Sequence, residues 1–191
     1  MRPNYFCSHP QSGFTLIEVM VSLIVLSAGV YGVLTMQMIS IQTTQQTNYF
    51  RTALMAATEL SDKMLGNAQQ NDAVPNPFLK INYQATSDHR PSANSCTDRD
   101  CSPVQLADAE IADWLERISA TLPDARAVVC RDDQPWNAQK SRLTWDCQAA
   151  GEHSATIIKL GWTDKGAQAD ITAPPKLAIP AGSVNHSNQA R

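Results

Sequence analysis

From Phe14 to Ile41 the chain is apolar apart from Glu18 and a scatter of Ser, Thr and Gln, and from Val19 to Phe50 it has no Asp, Glu, Lys or Arg. About 20 apolar residues are enough to cross a bilayer as a helix. No proline stands between Pro10 and Pro75, and Gly66 is a late breaker, so one helix is expected from Phe14 to about Ala68. At 1.5 Å per residue such a helix is about 80 Å long. Gly29 and Gly32 are its weak points, because glycine costs a helix about 1 kcal/mol relative to alanine. In the outer half, Phe50, Leu54, Ala57, Ser61 and Met64 recur at three- and four-residue steps. That spacing predicts a stripe packed on a small domain, with Glu59 and Lys63 as a surface pair one turn apart.

The remainder is polar and broken. Asn71 to Pro103 is rich in Pro, Asn, Ser and Asp and reads as a long loop. Ser102-Pro103-Val104-Gln105 has the signature of a capped helix start: a hydroxyl N-cap, proline in the first turn and Gln in the capping-box position. The helix is expected to run to about Leu122, with Ala107, Ile111, Trp114, Leu115, Ile118 and Leu122 on its apolar face and Pro123 ending it. Three strand-like runs follow, Ala127 to Arg131, Arg142 to Gln148 and Ala155 to Thr163, separated by turn-rich residues. An antiparallel meander is the economical arrangement, with Trp145 and Trp162 covering the long helix. From Lys165 onward Ala, Pro, Ser and Asn dominate, which predicts a loose tail or an edge segment. The implied division is 14–41 in the membrane, 42–70 as outer helix, 71–164 as globular domain and 165–191 as tail.

Composition adds compartment and partner class. The chain has 191 residues, a net charge of -3 and only 6% aromatic residues. No basic excess points to nucleic acid, and Lys159, Lys165 and Lys176 are too sparse and too interleaved with Asp to form a basic stripe. Of five cysteines, Cys7 stands apart near the start, while Cys96, Cys101, Cys130 and Cys147 lie in the polar part. Four cysteines allow three pairings. Cys96 with Cys101 and Cys130 with Cys147 are favoured because each pair lies in one local unit, and two disulfides suit an oxidising compartment. Zinc would need closer Cys/His spacing than these cysteines and the scattered His89, His153 and His186 provide.

The N-terminus carries the most specific signal. Met1 to Gly13 is polar, has Arg2 and no acid, and is expected to stay cytoplasmic. A secretory signal would be cleaved after its short apolar region, and an ordinary signal anchor gives no reason for Glu18 to sit inside the stretch. An ionisable group there costs a few kcal/mol and points to function. Gly13-Phe14-Thr15-Leu16-Ile17-Glu18-Val19-Met20 resembles the processing and assembly motif of type IV prepilins and of type II secretion pseudopilins. That resemblance implies cleavage after Gly13 by a prepilin peptidase, so that 1–13 is a leader, with methylation of the new amino terminus on Phe14. It also implies that Glu18 is an assembly residue pairing with a neighbouring subunit's amino terminus. Gln11-Ser12 departs from the family by lacking a basic residue before the glycine, and the helix lacks the proline that many major pilins carry. The layout as a whole resembles the α+β pilin fold: a long N-terminal helix, transmembrane in its first half, packed on a small antiparallel sheet domain.

Within that family Phe14 to Gly32, the WxxxI helix and the late Trp-Asp-Cys run look most like the PilV-type minor pilins. The resemblance implies a subunit that primes or assembles a pilus supporting adhesion and twitching motility. Its partners would be the prepilin peptidase, other minor and major pilins, the inner-membrane assembly platform and the membrane, with no nucleic acid, small-molecule substrate, metal or cofactor. It would start as a single-pass inner-membrane protein with its C-terminal domain in the periplasm and end in the filament. A type II secretion pseudopilin is the alternative and a DNA-binding uptake pilin a more distant one. An enzyme is the remotest reading: Asp132, Asp133 and Asp146 with His153 match no catalytic spacing and are expected to be exposed turn carboxylates.

Overall fold

The computed structural model describes residues 13–67, 76–85, 96, 100–151, 154–164, 167–170 and 172–181. Residues 1–12 of the expected leader, most of the loop after the first helix, His153 and the last ten residues lie outside the described residues. Two compact units divide the chain, Met1–Thr44 and Gln45–Arg191. Helix α1 (Leu16–Gly66) contributes to both. It ends close to the expected position, where Asn67 N and its side-chain amide both donate to Lys63 O at 3.0 Å.

In the Gln45–Arg191 unit, α1 buries Ala53, Ala57, Leu60, Ser61 and Met64. The expected stripe is therefore rotated: Phe50 and Leu54 are partly exposed at 44% and 39%, and Ala53 and Leu60 take the inner positions. Helix α2 (Pro103–Thr121) opens with the expected capping box, Gln105 N donating to Ser102 Oγ at 3.3 Å and Ser102 N to Gln105 Oε1 at 2.9 Å. Its buried face is Ala107, Ile111, Trp114 and Ile118. Trp114 is fully buried in the shared core, and its Nε1 donates to Ala56 O of α1 at 2.8 Å. That bond satisfies the one polar atom of the largest core side chain.

The sheet is antiparallel in the order β1 (Asn82–Gln84), β2 (Arg126–Arg131), β5 (Thr156–Gly161), β6 (Leu177–Pro180). Both β1 and the 3₁₀ turn Pro77–Lys80 come from the segment expected to be loop, and Phe78 of that turn is fully buried. The middle run of the expected meander is not a strand of this sheet. Only Arg142–Leu143 (β4) is extended, and it pairs with Trp136–Asn137 (β3) in a separate hairpin. β2 and β5 are instead direct neighbours, with Cys130 opposite Ile157 and Val128 opposite Lys159. The segment expected to be tail or edge supplies β6, which pairs Ile179 with Ile158 and Leu177 with Leu160.

At the centre of the sheet stands a charge. Lys159 of β5 and Asp132, just past β2, are both fully buried in their side chains and lie 2.5 Å apart at Nζ and Oδ2. Nζ donates to Asp146 O at 2.6 Å, and Asp132 Oδ1 accepts from Gln134 N at 2.9 Å and Gln148 N at 3.2 Å. Asp132 is thus not an exposed turn carboxylate: it neutralises a buried lysine and accepts from two backbone amides. Removing one member of a buried pair strands the other charge and typically costs 3–5 kcal/mol, whereas replacing both by apolar groups of similar volume is often neutral. Lys159→Met is therefore expected to lower the unfolding free energy by roughly 3–5 kcal/mol. Lys159→Met with Asp132→Leu should recover much of that loss, as read by urea unfolding followed through tryptophan fluorescence.

Candidate functional site

Gly13, Phe14 and Glu18, the residues expected to be processed and to guide assembly, lie at the start of α1. Phe14 is 83% exposed, and a side chain built on Gly13 would meet no atom within 4 Å. The helix begins where Thr15 O accepts from Glu18 N at 3.1 Å and from Val19 N at 3.3 Å. Glu18 is therefore in the first turn, where a carboxylate complements the helix dipole by about 0.3–1 kcal/mol. It shares one side of the helix with Val21, Ser22 and Val25, the three- and four-residue steps that place side chains in a row.

In the span after it, several hydroxyls are bonded back to the helix itself. Ser22 Oγ donates to Val19 O, Ser27 Oγ to Ile24 O and Thr35 Oγ1 to Gly32 O, each at 2.8 Å. Thr43 and Thr44 donate to Ile39 O and Ser40 O at 3.0 and 2.9 Å. Hydroxyls bonded back to their own helix are tolerated in hydrocarbon because no water is needed to satisfy them. α1 contains a stretch long and apolar enough to cross a membrane.

The cysteines of the globular unit are joined as Cys96–Cys101 and Cys130–Cys147. The second bond links β2 to the chain just after β4 and encloses the β3–β4 hairpin. Near it, Asp133 Oδ2 accepts from Ser154 Oγ at 2.6 Å and from Ala150 N at 2.8 Å. The Ser154 hydroxyl first, and the Ala150 amide second, hold the Asp133 carboxyl below its ordinary value. Asp146 is exposed and serves through its backbone carbonyl. The aspartates noted in the sequence thus close turns and pair with Lys159, while His153 lies outside the described residues. Among the described residues no three His, Cys, Asp or Glu side chains group as a metal site would require.

Two structural features escaped the sequence reading. One is Lys159, detectable as a lone cation inside Ile157-Ile158-Lys159-Leu160, a run too apolar for a half-exposed strand. The other is the environment of Trp145. Its Nε1 donates to Ala173 O at 2.7 Å, and Arg126 stacks on its ring at 4.3 Å. Its ring edge presses on Gly161, where an added Cβ would lie 2.8 Å from Cζ2. Trp145 and Trp162 part company here: Trp162 packs edge-on to Phe50 of α1 with ring centroids 6.4 Å apart, while Trp145 is anchored to Arg126 and the 173–175 segment and walls a cleft of about 380 Å³.

Against known proteins, the family model for the prokaryotic N-terminal methylation motif matches residues 8–33. No curated protein and no solved structure matches the chain significantly. A methylation motif of prepilin-type proteins on a long apolar helix, followed by a small antiparallel sheet, is a pilin-like arrangement, and the motif indicates a type IV pilin or pseudopilin of the kind that prepilin peptidase processes.

Two outcomes follow. Gly161→Ala forces the Trp145 ring or the backbone to move and is expected to destabilise the domain by about 1–3 kcal/mol, the range for overpacking, read as a lowered urea midpoint with a changed tryptophan emission. Because the Asp133 pKa is depressed, its bonds stabilise the fold above the ordinary carboxylate value and are lost as pH falls through the folded one. Ser154→Ala should move the Asp133 titration up towards 3.8, as followed by carboxyl carbon NMR.

Proposed function

We propose that this chain is a minor type IV pilin of the PilV type. Prepilin peptidase cuts it after Gly13 and methylates Phe14, and the mature subunit takes part in priming or assembling a pilus that supports adhesion and twitching motility. The observation that carries this reading is the methylation motif over residues 8–33 running directly into a helix with one acid, Glu18, in its first turn. The glycine gives a protease close access to the backbone. Cleavage there creates a positive amino terminus on Phe14, two residues before the helix. Glu18 then pairs with the amino terminus of a neighbouring subunit, and because a buried charge without its partner is destabilising, the contact selects register between packed helices. Other minor and major pilins and the inner-membrane platform are the partners this role requires. The globular unit faces the periplasm, where its two disulfides form.

A type II secretion pseudopilin remains the second reading, because the motif matched is common to both classes. Glu18→Ala is expected to leave membrane insertion intact and to reduce incorporation into filaments by about tenfold or more, since an unmatched charge pair costs several kcal/mol; the check is quantitative blotting of sheared filaments against membranes. Intact mass of the native protein tests processing. A chain lacking residues 1–13, with one added methyl and four fewer hydrogens, fits the proposal; a full-length, unmethylated chain overturns it. Recovery in sheared pili separates the pilus from the secretion reading.

A further inference from the structure

We propose that Lys159 and Asp132 form a covalent modification site: with loss of one water they close an isopeptide bond between β5 and the end of β2. The inference does not depend on the filament reading above, because it rests on the globular unit alone.

The hydrogen bonds around the two groups serve an ion pair incompletely. Both side chains are 0% exposed, and a buried pair offsets its lost hydration only when the remaining protons and lone pairs find partners. An ammonium has three N–H donors. Among the described residues Nζ meets two oxygens, Asp146 O at 2.6 Å and Asp132 Oδ2 at 2.5 Å, which leaves one proton without an acceptor. Oδ2 touches the ammonium outside the angles of a hydrogen bond and is a buried acceptor with no hydrogen-bond partner. An amide joining the same atoms is served in full. Its single N–H is the one that donates to Asp146 O, and its oxygen, Oδ1, already accepts from Gln134 N at 2.9 Å and Gln148 N at 3.2 Å. The atom that no hydrogen bond holds is the one that leaves.

The step balances within the pair. One proton passes from Nζ to Oδ2, which removes both charges from the low-dielectric interior and leaves lysine as the neutral, nucleophilic amine. The amine lone pair then forms the Nζ–Cγ bond, Cγ being the atom that carries Oδ2. Negative charge developing on Oδ1 meets the amides of Gln134 and Gln148, two backbone donors arranged as an oxyanion hole. A second proton passes from Nζ to Oδ2, the Cγ–Oδ2 bond breaks with its electron pair on oxygen, and water departs. The third proton stays on the amide nitrogen. Nothing is oxidised or reduced, and no further reactant is consumed. Fixed placement of amine and carboxyl supplies the proximity that the same groups lack in solution, and exclusion of water protects the product from hydrolysis. The neighbouring Cys130–Cys147 bond opens to a reductant. The amide does not, so β2 and β5 stay joined when the disulfide is lost.

The test is mass spectrometry of the full chain purified from native membranes. Its intact mass should be lower by one water, beyond any change at the N-terminus and the hydrogens lost to the two disulfides. After reduction and trypsin digestion, residues 132–140 and 143–165 should appear as one branched peptide joined through Asp132 and Lys159, with no cleavage after Lys159. Lys159→Arg keeps a cation but has no amine to acylate, and should restore the missing water and abolish the branched peptide. Lys159→Met with Asp132→Leu, which leaves no charge unpaired, should do the same if the arginine does not pack. Retention of the Cys130–Cys147 bond verifies that each variant folds. Wild-type chain that yields only linear peptides, with cleavage after Lys159, overturns the proposal. So does a chain lighter by one water without the branched peptide, the sign of a succinimide at an aspartate, or a branched peptide that persists in either variant.

Discussion

The globular unit is organised around the ion pair between Lys159 and Asp132, because a charge placed in the middle of a sheet dictates what its neighbours must do. With both side chains fully buried, every remaining hydrogen-bonding position on them has to be met by the protein. Asp146 supplies a carbonyl to the ammonium, and Gln134 and Gln148 supply amides to the carboxylate. Those three residues belong to the entry and exit of the β3–β4 hairpin. The pair therefore fixes where the hairpin leaves and re-enters the sheet, with Cys130–Cys147 as a covalent reinforcement. A loop closed over a sequence separation of 17 is worth about 3 kcal/mol in the chain-entropy model, comparable to the cost of stranding one member of the pair. Trp145, next to Asp146, is thereby positioned over Gly161 and under Arg126.

A second constraint holds the helices. Alanines at 53 and 57 are fully buried, and Trp114 of α2 reaches the carbonyl of Ala56. Arg117 of α2 bonds both Asp113 and Glu59. Glu59 also lies 3.8 Å from Lys63, the pair expected one turn apart. These exposed ion pairs add little to stability, typically under about 1 kcal/mol each. The buried indole does more, since a tryptophan removed from water with its N–H satisfied contributes both area and direction.

What could be read from the sequence follows from how local each signal is. The α1 span, the capping box at Ser102 and Gln105, and the apolar face from Ala107 to Ile118 all depend on residues within one or two turns, and they are found where expected. Glycine before an apolar run with Glu18 is equally local, and it agrees with the methylation motif at residues 8–33. Non-local pairing was harder. Arg142 to Gln148 has strand-like residues, but the demands of the Lys159 ammonium and the disulfide pull all but Arg142–Leu143 out of extended pairing. β1 and β6 are short and come from proline- and asparagine-rich segments, so composition concealed them. Asp132 looked like any turn carboxylate because its partner is 27 positions away in the sequence. The rotation of the α1 stripe towards Ala53 and Leu60 has the same origin: the identity of the inward face is set by what Trp114 needs.

The self-contained hydroxyls of α1 have a consequence for how the subunit moves between phases. Ser22, Ser27, Thr35, Thr43 and Thr44 each spend their donor on a carbonyl of their own helix. For these five hydroxyls lipid and the interior of a helix bundle are then nearly equivalent solvents, since neither has to supply an acceptor. Passage from one to the other changes their dispersion contacts without exchanging their hydrogen bonds. That equivalence does not extend to Glu18, the carboxylate in the first turn.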